Sequence, residues 1–221
     1  MLVKICGVKD SAIVDAAVDA GASLLGFVHF PRSPRHVELE EAAGLAAHAR
    51  ARAAGRDGAR PQVVVLTVDP DDDLLARIMT TVRPEWIQLH GGETPARVAR
   101  IAENHDVGLI KAIGVSGPGD IARALDYDGA DLMLLDARPP KDATRPGGNG
   151  LAFDWDLARG RRLPPFLLSG GLTPENVGEA LARLAGQDAL AGVDVSSGVE
   201  SAPGVKSPAL VEAFVRAARR A

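Results

Sequence analysis

Short, almost wholly apolar runs alternate with longer stretches of helical periodicity from one end of the chain to the other. The short runs fall at 2–6, 24–29, 62–68, 86–89, 108–112, 131–135, 165–169 and 190–195. Strands covered on both faces have this character, because neither face needs polar residues. The longer stretches lie at 10–20, 38–53, 70–82, 95–105, 120–125, 174–184 and 208–220. Only the interval after the sixth run breaks the rhythm. It carries a Pro/Gly-rich loop over 138–150 and then a short helical turn near 153–159.

Eight units of this kind average about 28 residues, the size of a strand, a helix and two short loops. Alternating βα units build either a closed barrel or an open doubly wound sheet. The count of eight, and the lack of any linker between two compositions, favour an α/β fold with one (β/α)8 TIM barrel spanning 1–221. The 138–150 loop precedes two further strands, so it is expected to be an active-site loop rather than a domain boundary.

Charge and composition narrow the partners. Apolar residues make up 46% of the chain, charged residues 24%, and the formal net charge is −4. That leaves no electrostatic footprint for nucleic acid or an anionic membrane. Basic residues are scattered, apart from Arg159-Gly160-Arg161-Arg162 and Arg219-Arg220. No apolar run approaches the roughly 18 residues of a membrane span, and the N-terminus opens on a strand rather than a signal peptide. The single cysteine fits a reducing cytoplasm. The expected partner is a small molecule, and both a monomer and a homodimer are compatible with the helix patterns.

A barrel gathers its functional groups at the C-terminal ends of its strands. Cys6 ends the first strand, His90 follows the fourth, Asp136 ends the sixth and Asp194 ends the eighth. With one cysteine in the chain, Cys6 is either a buried filler or a lone reactive thiol. Ser169-Gly170-Gly171-Leu172-Thr173-Pro174 follows strand seven and Ser196-Ser197-Gly198 follows strand eight, the two loops that cradle phosphate in this fold. Glycines let backbone N–H groups approach the anion, and helix N-termini add donors. Cys6 and Asp136 sit across the mouth from one another, as a thiolate base and a carboxyl acid would.

An unperturbed thiol titrates near 8.5, so a base at Cys6 needs help. Lys4, two residues earlier and on the same strand face, could favour the thiolate; its plainer reading is a core lysine paired with a carboxylate, and the two are compatible. Asp136 follows the apolar run Leu132-Met133-Leu134-Leu135, where desolvation would raise its proton affinity and suit it to act as an acid. His90 reads as a polar wall residue. The remaining histidines, 29, 36, 48 and 105, have no metal-site spacing, and no cofactor or metal is expected.

Lys4-Ile5-Cys6-Gly7, Ser33-Pro34-Arg35, Gln88-Leu89-His90-Gly91, Leu134-Leu135-Asp136, Gly147-Gly148-Asn149-Gly150 with Phe153-Asp154-Trp155, Ser169-Gly170-Gly171-Leu172 and Gly192-Val193-Asp194-Val195-Ser196-Ser197-Gly198-Val199-Glu200 occur in this order. Together they resemble the phosphoribosylanthranilate isomerase family over essentially the whole chain. The resemblance implies a (β/α)8 barrel and a cofactor-free Amadori rearrangement in tryptophan biosynthesis. It implies Asp136 as general acid and Cys6 as general base, and Arg35 as a clamp on the anthranilate carboxylate. Gly170, Gly171, Ser196, Ser197 and Gly198 would hold the phosphate, and Asp194 would face the sugar or the bridging amine.

Three positions depart from the usual pattern. His29 replaces a larger apolar residue, Asn149 a Thr or Ser, and strand three ends Val65-Leu66-Thr67-Val68-Asp69 rather than Val-Phe-Val-Asn. Other phosphosugar barrels compete less well. The histidine-pathway ribotide isomerase resembles a pair of aspartates with the first in the place of Cys6. A metal-dependent epimerase needs more strand-end histidines, and a non-catalytic phosphometabolite-binding barrel would lack one of the two proton-transfer groups.

Overall fold

The computed structural model describes residues 1–54, 60–138 and 153–221. Eight parallel strands close into a barrel in chain order: β1 (Leu2–Cys6), β2 (Leu24–Val28), β3 (Gln62–Thr67), β4 (Trp86–Leu89), β5 (Gly108–Val115), β6 (Leu132–Ala137), β7 (Phe166–Leu168) and β8 (Leu190–Val195), with β8 pairing back onto β1. Around them lie α1 (Ser11–Ala20), α2 (Leu39–Ala53), α3 (Asp72–Thr81), α4 (Pro95–Asn104), α5 (Pro118–Ala122), α6 (Val177–Arg183) and α7 (Pro208–Arg220). The predicted α/β barrel is the observed one. Among the described residues no helix is long and apolar enough to cross a membrane.

Local chemistry starts the helices where expected. Asp10 accepts the Ile13 N–H (2.9 Å), Asp71 that of Leu74 (2.8 Å) and Thr94 that of Arg97 (3.2 Å), each satisfying a donor that a helix start leaves open. Proline opens α4 and α7, where a missing N–H costs nothing.

Alternation along the strands divides the core in two. Val3, Ile5, Val63, Val65, Ile87, Leu89, Met133 and Leu135 face the helices and form the larger core. Leu24, Val64, Ile110, Ala112, Leu132, Leu134 and Leu167 fill the lower barrel interior. Above them Cys6, Val28 and Leu66 pack together near the mouth. Going up the barrel, apolar filling thus gives way to polar groups.

Four details differ from the expected pattern. β5 runs on to Val115 because β6 continues beside it to Ala137, so Asp136 lies within its strand, opposite Gly114. Around the expected 120–125 helix the chain forms the five-residue α5 (Pro118–Ala122) followed by a 3-10 turn, Arg123–Asp126. The helix expected from residue 174 begins only at Val177, since Asn176 is engaged in a turn. Its side chain accepts from the Thr173 N–H (2.7 Å) and donates to the Gly171 carbonyl (2.9 Å). Between β6 and β7 the short helical turn expected near 153–159 is present as the 3-10 turn Trp155–Ala158. An antiparallel hairpin, β9 (Glu200–Ala202) with β10 (Val205–Lys206), follows β8 and was not foreseen.

Candidate active site

β1 delivers Cys6 to the mouth with its side chain turned inward. The chain then turns sharply, because the Gly7 and Val8 N–H groups both donate to the Gly26 carbonyl (2.8 and 3.0 Å). Gly7 has φ +82, and a Cβ there would come within 2.6 Å of Arg35 Cδ. Only glycine allows both that conformation and the passage of the Arg35 stem. Burial pushes the Cys6 thiol above its ordinary range. The neighbouring Lys4 and Lys206 charges pull it back without cancelling that rise, to which Asp194 adds.

Between Cys6 and Asp136, going round the ring, come the ends of β8 and β7. The Ser196 hydroxyl donates to the Cys6 carbonyl at 3.0 Å, which ties the β8 loop to the thiol strand. A 3-10 turn, Ser197–Val199, continues from it. On the β7 side Gly170 and Gly171 both have positive φ, and among the described residues their N–H groups have no hydrogen-bond acceptor. A Cβ on Gly170 would stand 2.6 Å from the Ala137 nitrogen and 3.3 Å from Asp136 Oδ1. The loop therefore lies directly against the candidate acid. The five residues expected at the phosphate fall on two adjoining loops, bracketed by Cys6 and Asp136.

Asp136 is buried, and its Oδ1 accepts from the Ala137 N–H at 2.9 Å. His90 Nε2 stands 3.6 Å from its Oδ2. The Gln88 side-chain amide lies 2.9 Å from His90 Nδ1, which turns the ring so that Nε2 faces Asp136. His90 thus lines the mouth beside the candidate acid. The signal was present in strand parity: Gln88 points inward, and His90 two residues on does the same. Beneath that loop Lys111 donates to the Gly91 carbonyl (2.9 Å) and to Glu93 (2.8 Å), while Glu93 accepts from the Asp69 and Gly91 N–H groups. This buried pair holds the His90 segment in place.

Arg35 reaches the mouth from the β2–α2 connection and is only 4% exposed. Its Nε and Nη2 donate to the two Glu200 oxygens at 2.6 and 2.8 Å, the planar fork that arginine forms with a carboxylate. Lys206 donates to the same Glu200 (3.2 Å) and to the Ser196 carbonyl (3.2 Å). Burial alone would raise the Glu200 carboxyl, but the Arg35 hydrogen bond and the Lys206 charge hold it below its ordinary range. Nothing in the local pattern announces a pairing between residues 165 positions apart.

Asp194 lies inside, beside Lys4 in the β1/β8 register. Its Oδ1 accepts from Lys4 Nζ at 2.7 Å and its Oδ2 from Ser169 Oγ at 2.9 Å. Lys4 is therefore the carboxylate-paired core lysine of the plainer expectation, and it sits next to the thiol as the functional one required.

Sequence spacing missed one cluster. His29, His36 and Glu38 converge so that their ligating atoms lie within 4.8 Å of one another. His36 Nδ1 accepts from the Phe30 N–H at 3.0 Å, so its Nε2 keeps a proton and gives it to Glu38 Oε1, also at 3.0 Å. No lone pair remains there for a metal. The Gly147–Gly150 motif with Asn149 lies outside the described residues.

Known proteins agree on one family. The model of N-(5'-phosphoribosyl)anthranilate isomerase matches residues 3–217. N-(5'-phosphoribosyl)anthranilate isomerase of Rhodopseudomonas palustris is 51% identical over all of this chain and 99% of its own, and that of Paracoccus denitrificans is 52% identical over 84% and 85%. The solved phosphoribosylanthranilate isomerase of Thermotoga maritima superposes with a TM-score of 0.84 at 33% identity over the full length of both chains. A solved enzyme in complex with reduced 1-(o-carboxyphenylamino)-1-deoxyribulose 5-phosphate superposes with a TM-score of 0.80 at 31% identity, again over both full chains.

Proposed function

The chain belongs to the phosphoribosylanthranilate isomerase family, and from that premise we propose that its barrel mouth converts N-(5-phosphoribosyl)anthranilate to 1-(2-carboxyphenylamino)-1-deoxyribulose 5-phosphate, with Asp136 as general acid and Cys6 as general base. The observation that carries this is the placement of the two proton-transfer groups on either side of the Gly170–Gly171 and Ser196–Gly198 loops. A phosphate held there leaves the sugar between an acid and a base.

The steps balance without a cofactor. Asp136 gives a proton to the ribose ring oxygen as the bond from C1 to that oxygen breaks, and the anilino nitrogen pair forms a Schiff base. Cys6, as thiolate, takes the C2 proton, and the electron pair moves through C1 to nitrogen to give the enolamine. Return of a proton to C1 and loss of the C2 hydroxyl proton make the ketone and restore acid and base. Two groups are needed because donor and acceptor act on different parts of the sugar.

Gly170, Gly171, Ser196, Ser197 and Gly198 are assigned to the phosphate, with backbone donors approaching the anion. His90 orients Asp136. Arg35 is assigned to the anthranilate carboxylate. The paired hydrogen bonds to Glu200 fix the plane of the guanidinium. Asp194 keeps lone pairs for a sugar hydroxyl while holding Lys4 and Ser169. The enzyme works in the cytoplasm on a small phosphorylated substrate, with no nucleic acid, membrane or cofactor, as a monomer or homodimer.

Arg35→Ala is expected to raise KM about tenfold to a hundredfold, the loss of a charged hydrogen bond, with a smaller change in kcat. It also leaves the Glu200 carboxylate with only Lys206 and the Gly204 N–H as donors, so thermal stability falls. An unchanged KM in the folded variant moves the carboxylate clamp elsewhere.

The site assignment is tested by titrating purified protein with reduced 1-(o-carboxyphenylamino)-1-deoxyribulose 5-phosphate. The expected result is saturable binding that inorganic phosphate weakens and that protects Cys6 from iodoacetamide. Binding that leaves Cys6 equally reactive would place the ligand away from this mouth.

A further inference from the structure

Beneath Cys6 lie two buried charges, Lys4 and Asp194, that give or take no proton in the proposed steps. Lys4 has no solvent exposure, and its ammonium is bound to Asp194, which is in turn anchored by Ser169 on its other oxygen. Cys6 is two residues beyond Lys4 on the same inward face. Gly26, on β2, brings thiol and ammonium together. A Cβ at that glycine would lie 3.1 Å from Cys6 Sγ and 3.2 Å from Lys4 Nζ. The two groups therefore face one another across space that only a missing side chain leaves open.

We propose that Lys4 and Asp194 are positioning residues that set the proton affinity of Cys6 in opposite directions: the Lys4 ammonium favours the thiolate, and Asp194, by claiming part of that charge, restrains it. The proposal rests on Cys6 being the base, but the charges act on the thiol whether or not substrate is present. Such a balance has a use. A buried thiol with no cation stays protonated, while a thiolate stabilised too far is a weak base.

The remaining surroundings of Cys6 add only a lesser influence, from Lys206. From β2 and β3 it meets Val28 and Leu66, which carry no charge. From the hairpin comes Lys206, already bound to Glu200, and Glu200 is shared with Arg35. Burial opposes the charge on Lys4, but Asp194 and Cys6 outweigh it and keep the ammonium.

Cys6 is the only cysteine, so the ultraviolet absorbance of the thiolate reports it once the contribution of the single tyrosine, Tyr127, is subtracted with a Cys6→Ser control. We would follow that absorbance against pH in substrate-free protein. Asp194→Asn is expected to lower the titration midpoint by about one pH unit, and Lys4→Met to raise it by at least as much. A midpoint that stays put or rises in Asp194→Asn overturns the proposal. A purely structural Asp194 would change melting temperature but not the midpoint, and a mere substrate contact would change KM but not the midpoint.

Should either single variant fail to fold, the double variant Lys4→Met/Asp194→Asn leaves no charge stranded. Its midpoint is expected above that of the wild type, since the cation is the nearer influence. An unshifted midpoint there also overturns the proposal. Isomerase turnover is measured separately, so failure of this charge balance is distinct from failure of the assigned reaction.

Discussion

Cys6→Ala is expected to lower kcat/KM about 10²- to 10⁴-fold, the range a general base contributes, while the fold persists. The thiol packs with Val28 and Leu66, and losing one sulfur from that small cluster costs about 1 kcal/mol at most. Lys4 keeps Asp194 as its partner, so no buried charge is stranded. Cys6→Ser separates chemistry from packing. The hydroxyl nearly fills the same volume but ionises far less readily than a thiol, so this variant should be inactive too. Steady-state product formation alongside thermal melts gives both readouts. Near-wild-type turnover in either variant would remove Cys6 from the mechanism.

The second large effect is expected for Asp136→Asn, again about 10²- to 10⁴-fold in kcat/KM. Asparagine retains an oxygen for the Ala137 N–H and fits beside Gly170, so the β6 end and the phosphate loop keep their geometry. What it lacks is a proton it can give to the ring oxygen. Asp136→Ala would confound the result, because it strips the Ala137 N–H of its acceptor. If Asp136→Asn remained active, the acid role would pass to His90, whose Nε2 already faces this position.

Much of the barrel is legible in the chain because strands covered on both faces leave an unmistakable apolar pattern. All eight strands occur where that pattern puts them, and β1, β4 and β8 match it end to end. Errors gather where side-chain turns override periodicity. Asn176 delays α6, and β5 extends only because β6 runs beside it. Cys6, Asp136 and the two glycine loops were visible as reactive or flexible residues at strand ends. Long-range pairings were not. The Arg35–Glu200–Lys206 group joins the β2 connection to a hairpin after β8, and Lys111 reaches from β5 to brace the loop carrying His90. Such contacts depend on how the closed barrel brings distant segments together, which no local pattern encodes. His90 lies between these cases, since parity aims it inward but only the fold brings it to Asp136.

The most direct measurement is turnover of freshly prepared N-(5-phosphoribosyl)anthranilate by the purified wild-type protein in the presence of EDTA. The account predicts rapid conversion to 1-(2-carboxyphenylamino)-1-deoxyribulose 5-phosphate, unaffected by the chelator. Folded protein that binds the reduced product analogue yet leaves the substrate unconverted would contradict it and make the barrel a binding protein.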